Sequence, residues 1–92
     1  MKISVNTFSR GTVYDSVAKV REESFELEEA YFEYKNALIQ DAYEKRKCLM
    51  LEIGDVLTAT MNLCKKIGFD AQECVDMVET KNILRGYYDT IE

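Results

Sequence analysis

Apolar and polar residues alternate with a helical period along most of the chain. Val13, Val17, Val20, Ser24, Leu27, Tyr31, Tyr34 and Leu38 recur at spacings of three and four, the repeat of one helix face. Thr12-Val13-Tyr14-Asp15 fits a capping box ahead of them, with Thr12 as N-cap and Asp15 reaching back from the third helical position. Together they predict one amphipathic helix of about 26 residues whose apolar stripe faces the core. A second stripe comprises Leu49, Ile53, Val56, Leu57, Thr60, Cys64 and Ile67. Asp41-Ala42-Tyr43-Glu44 reads as its capping box, and Gly68 as its stop, with Lys65 and Lys66 at the negative end of the helix dipole. The turn between the two helices is expected within Ala37 to Gln40. A third box, Asp70-Ala71-Gln72-Glu73, opens a helix that runs to about Leu84. Residues 1 to 11 show no helical pattern and read as an irregular segment ending at Gly11. With no proline and few β signals, the expected fold is all-α: two long antiparallel helices and a shorter third.

Length adds an expectation of assembly. Ninety-two residues make one domain, 1–92. Three helices in so short a chain bury little, so a four-helix-bundle core completed by homo-oligomerisation is expected, as a homodimer or a doubled homotetramer. The hydrophobic fraction of 47% argues against disorder. No apolar run approaches the roughly 20 residues that span a bilayer, and Met1 to Asn6 has no signal-peptide character. A soluble, cytoplasmic protein without a membrane partner is expected. A net charge of −5 argues against a nucleic-acid partner, which needs a basic surface. Cys48, Cys64 and Cys74 lack zinc-site spacing and read as small buried apolar residues in a reducing compartment. The chain has no histidine, which excludes Ser-His and Cys-His nucleophilic catalysis.

One stretch breaks the amphipathic logic. Leu51-Glu52-Ile53-Gly54-Asp55-Val56-Leu57 places two acids three residues apart, on one helix face, inside an apolar run. Gly54 within a helix costs about 1 kcal/mol relative to alanine and suggests the close approach of a backbone, side chain or ligand. The first helix repeats the spacing in Glu23 and Glu26. Counted from a turn near residue 39, Glu26 lies about 13 residues back and Glu52 about 13 forward. In an antiparallel pair the two acid pairs therefore fall at one height. Four converging carboxylates repel unless a cation joins them, and Mg²⁺ or Mn²⁺ suits an all-oxygen set. Two other readings stand beside this one: a solvated acidic face in a chain with 17 acids, and ion pairing with Lys45, Arg46 or Lys47.

These residues also resemble a known family, the all-α nucleoside triphosphate pyrophosphohydrolases typified by MazG. Glu22-Glu23-Ser24-Phe25-Glu26-Leu27 followed by Ala30 is similar to that family's EExxELxxA motif. Glu52-Ile53-Gly54-Asp55-Val56-Leu57 resembles its second acidic element, after a spacer of 25 residues. Lys81-Asn82-Ile83-Leu84-Arg85 resembles the basic KxxxR element near the end of the domain. The resemblance implies that Glu23, Glu26, Glu52 and Asp55 hold Mg²⁺ and that Lys81 and Arg85, one helical turn apart, meet nucleotide phosphates. It implies Mg²⁺-dependent hydrolysis of (deoxy)nucleoside triphosphates to monophosphate and pyrophosphate, with Glu23 or Glu26 handling the water proton and Glu22 in support. Two alternatives belong to other classes: a non-catalytic helical homo-oligomeric interaction protein, and a nucleotide sensor that binds without turnover.

Overall fold

The computed structural model describes residues 11–86, and every element in them is helical. Helix α1 spans Val13–Lys35, a single 3₁₀ turn Ile39–Asp41 follows, α2 spans Ala42–Ile67, and α3 spans Ala71–Leu84. The all-α expectation with three helices holds, two long and one short. No helix among the described residues is long and apolar enough to cross a membrane. The segment expected to be irregular, 1 to 11, lies outside the described residues except for Gly11.

The helix starts differ in quality. At α1 both halves of the capping box form: Thr12 Oγ1 accepts from the Asp15 amide at 3.1 Å, and Asp15 Oδ2 accepts from the Thr12 amide at 3.0 Å. Gly11 has φ +80°, and a Cβ there would meet Asp15 Oδ2 at 2.9 Å, so the box itself favours glycine. At α3 only half forms, Asp70 Oδ1 accepting from the Gln72 amide at 3.0 Å. At α2 the predicted box is absent. Asp41 is the last residue of the 3₁₀ turn and holds φ −103°, ψ −7°, a helical rather than extended backbone. An N-cap side chain bonds its helix from extended backbone, and Asp41 makes no such bond.

Helix α1 also stops three residues short of Leu38. Asn36 closes it, its Nδ2 and its backbone amide both donating to the Phe32 carbonyl, at 2.9 and 3.1 Å. Helix α2 ends as expected at Gly68, with φ +91° and the amides of Gly68 and Phe69 both donating to the Cys64 carbonyl at 2.9 Å.

Helices α1 and α2 form the one extensive helix–helix contact among the described elements. Lys45 Nζ lies 3.8 Å from Glu33 Oε1 near the turn, and Lys66 Nζ donates to the Gly11 carbonyl at 2.8 Å at the far end. Residues equidistant from the turn thus face each other, the signature of an antiparallel hairpin. The contact seam differs from the predicted stripes. Its buried residues are Ser16, Glu23 and Ala30 on α1 and Ala59 on α2, with Val20 and Leu27 half-buried beside them. Val13, Val17, Tyr31, Tyr34 and Leu38, expected inside, are exposed, as are Ile53, Leu57 and Ile67. The physical reason is size. Ser16, Ala30 and Ala59 have almost no side chain, so the two backbones approach along them and the bulky residues are displaced to the flanks. Among the described residues nothing lies within 4 Å of where a Gly54 Cβ would be, so none of them makes the close approach expected there.

Helix α3 packs on the hairpin far less. Met77, Val78, Ile83 and Leu84 are exposed, as is Phe69 in the preceding turn. The radius of gyration is 16.1 Å, against about 12 Å for a compact chain of this length.

Candidate functional site

Inside the hairpin seam the chain places acids where a core would normally be apolar. Glu23 lies on α1 in register with Ser16 and Ala30, seven residues to either side, and is only 6% exposed. That spacing holds all three on the face turned to α2. Glu52 and Asp55, one turn apart on α2, come up opposite. Carboxylate oxygens of Glu23, Glu52 and Asp55 lie within 4.8 Å of one another, as do those of Glu22, Glu23 and Glu26. Glu23 belongs to both groups and links the two acidic motifs into one cluster.

Compensation is incomplete. Lys19 Nζ lies 2.9 Å from Glu23 Oε1 and 3.7 Å from Glu22 Oε1, and the Glu23 hydrogen bond holds the Lys19 ammonium above its ordinary pKa. Glu23 Oε2 and Glu52 Oε2 are buried without a hydrogen-bond partner. A buried, unpartnered carboxylate oxygen carries a substantial desolvation penalty. Neighbouring acids feel the strain. Glu26 is pushed above the ordinary carboxylate range first by its hydrogen bond to Glu23 and then by the charges of Glu23, Glu52 and Glu22. Glu52 is pushed up by desolvation and then by Asp55, Glu23 and Glu29.

The ion-pairing alternative is therefore met by a different residue from those expected. Of Lys45, Arg46 and Lys47, Lys45 pairs with Glu33 nearer the turn. The cation on the cluster is Lys19, which sequence reasoning missed. Its signal was present in the four-residue spacing to Glu23, on one helix face.

All-carboxylate donors with two orphaned buried oxygens fit a hard divalent cation, which takes oxygen ligands and supplies the missing positive charge. The residues able to hold it are Glu23 with Glu52 and Asp55, or Glu23 with Glu22 and Glu26. Lys81 and Arg85 belong to α3, not to the hairpin that carries these acids. Both are exposed, Lys81 in the last turn of α3 and Arg85 at its C-cap, where the Arg85 amide donates to the Lys81 carbonyl at 3.1 Å.

The cysteines are not the buried residues expected: Cys48 and Cys74 are exposed and Cys64 is half-buried. No family model, curated protein or solved structure matches this chain.

Proposed function

We propose that this protein is a MazG-like, Mg²⁺-dependent hydrolase of (deoxy)nucleoside triphosphates, releasing nucleoside monophosphate and pyrophosphate. The observation that carries the reading is the convergence of Glu23, Glu52 and Asp55 within 4.8 Å, with Glu26 joined through Glu23 and two buried oxygens left unpartnered. Repulsion of this kind persists in a fold only where something offsets it.

Mg²⁺, when bound, supplies charge neutralisation at phosphate oxygens and lowers the pKa of water. The chain's own residues supply orientation and proton handling. Buried Glu23 is tied to Lys19 through one oxygen and acts as the fixed anchor between the helices. Glu26 is half-buried on the same face, and its raised proton affinity suits it to take a proton from the attacking water. Glu52 and Asp55 complete the ligand set from α2. Lys81 and Arg85 are assigned to phosphate charge. Because they ride on α3, away from the hairpin, the reading has them act across the interface of a homo-oligomer. The exposed apolar flanks of α1 and α2 support that assembly, with two hairpins completing a four-helix bundle.

The Lys19–Glu23 pair favours one rival. A cluster partly neutralised by the chain's own lysine is also what a purely structural acidic seam in an interaction protein contains. Pyrophosphate release from ribo- and deoxyribonucleoside triphosphates, measured with Mg²⁺, Mn²⁺ or EDTA, separates the readings. Metal-dependent release that falls by about 10²-fold or more in Glu52→Gln is the expected result. Saturable metal-dependent nucleotide binding with no release indicates a sensor, and indifference to metal and nucleotide indicates the interaction protein.

A further inference from the structure

Lys19 meets the acidic cluster from outside the seam. Its Nζ lies 2.9 Å from Glu23 Oε1 and 3.7 Å from Glu22 Oε1. The partners differ in freedom. The Glu23 side chain is 7% exposed and held in the seam, whereas those of Lys19 and Glu22 are 53% and 60% exposed. Lys19 thus reaches a fixed, buried carboxylate from solvent, at the end of a flexible four-carbon stem. It serves one oxygen of that carboxylate. Glu23 Oε2 and, on the facing helix, Glu52 Oε2 are buried without a hydrogen-bond partner. Around Glu23 gather Glu22 and Glu26 on α1, and Glu52 and Asp55 on α2. A single ammonium offsets part of their repulsion, but as a compact point charge it does not gather several oxygens as a divalent cation does.

We infer, resting on the metal-site reading above, that Lys19 is the cluster's resident counter-ion: it steadies the hairpin without metal and competes with a divalent cation for Glu23, so that it sets the metal affinity of the site. With Glu23 fixed in the seam, the ammonium is the group that yields. Its stem carries it from Glu23 Oε1 into water, which hydrates ammonium strongly, and exposed Glu22 keeps it nearby. While it remains on Oε1, its charge opposes a second cation at the same carboxylate. The opposition is reciprocal by linkage: metal weakens the Lys19–Glu23 pair by the factor that the pair weakens metal. Position matters more than charge count. Lys45 pairs with Glu33 at 3.8 Å, and Glu33 lies about 15 Å along α1 from Glu23. That exceeds the Debye length of about 10 Å at 0.1 M salt.

The test is Mn²⁺ binding to the full chain without nucleotide, read from the electron paramagnetic resonance of free Mn²⁺ at one pH and about 0.1 M salt, beside urea unfolding in EDTA. Lys19→Met and Lys19→Gln remove the charge with two different side chains. Lys19→Arg keeps it, and Lys45→Met removes a positive charge elsewhere. The Mn²⁺ dissociation constant is expected to fall about fivefold or more in both neutral Lys19 variants and to stay within about twofold of wild type in Lys19→Arg and Lys45→Met. In EDTA the neutral Lys19 variants are expected to unfold at lower urea than wild type, and saturating Mn²⁺ to narrow that deficit. Unchanged or weaker Mn²⁺ binding in the neutral Lys19 variants overturns the counter-ion role while leaving the metal site. Equal tightening in Lys45→Met also overturns it, by reducing the effect to net charge. Absence of Mn²⁺ binding in wild type and variants alike overturns it together with the metal-site reading. Tighter binding without any pyrophosphate release upholds the counter-ion and removes the hydrolase alone.

Discussion

At the scale of single residues the decisive contest is between Glu23 and its surroundings. A glutamate in a helix seam is normally excluded by desolvation, yet Glu23 is buried with one oxygen on Lys19 and the other unpartnered. Glu26 and Glu52 carry proton affinities raised above the ordinary value of 4.5. For such groups the sign is that of acids whose charged form is disfavoured by folding. Their stabilising contribution is present below the unfolded value and is lost as pH rises through the folded one. In EDTA, urea midpoints are therefore expected to increase as pH falls from neutral toward the ordinary carboxylate range, and Glu52→Gln is expected to flatten that trend. The acidic character of both motifs was plain in the residue order, as was the spacing that puts Glu52 and Asp55 together. That Lys19 reaches Glu23 was legible only as one helical spacing among many.

At the scale of elements, three similar N-terminal signatures produced three different caps. Thr12 and Asp15 bond reciprocally, Asp70 serves one amide, and Asp41 serves none. The difference lies in the preceding backbone: Thr12 and Asp70 are extended, whereas Asp41 is drawn into a 3₁₀ turn by its amide bond to the Leu38 carbonyl at 2.9 Å. Thr12→Ala is accordingly expected to cost about 1 kcal/mol in urea unfolding, and Asp41→Ala no more than about 0.5 kcal/mol. The same turn explains why α1 ends at Lys35 while the apolar repeat runs on to Leu38.

At the scale of the molecule, most of the bulky apolar residues among those described are exposed to solvent. The buried apolar positions of the hairpin are the two alanines Ala30 and Ala59, and the described structure measures 47 × 43 × 19 Å, a flat plate. On the proposed reading these exposed apolar flanks are the surface on which a homo-oligomer assembles. Sedimentation equilibrium is expected to give a homodimer or homotetramer, and Ile53→Asp with Leu57→Asp is expected to reduce the mass to that of the monomer while leaving helical circular dichroism in place. A wild-type monomer at micromolar concentration would remove the assembly, and with it the delivery of Lys81 and Arg85 across an interface.

The residue order alone determined the number of helices, their starts, the Gly68 stop and the pairing of acids at one height, because each rests on local hydrogen bonding or on helical spacing. Which face of each helix turned inward was decided by tertiary structure. The apolar repeat through Val17, Ser24 and Tyr31 and the seam through Ser16, Glu23 and Ala30 are both periodic, and only the close approach of two backbones selects the one with small residues. Tertiary packing likewise decided that Glu23 is buried, that Glu26 and Glu52 are pressed toward their protonated forms, and that α3 leaves the hairpin. Each of these depends on what stands across the helix pair, which no spacing within one helix encodes.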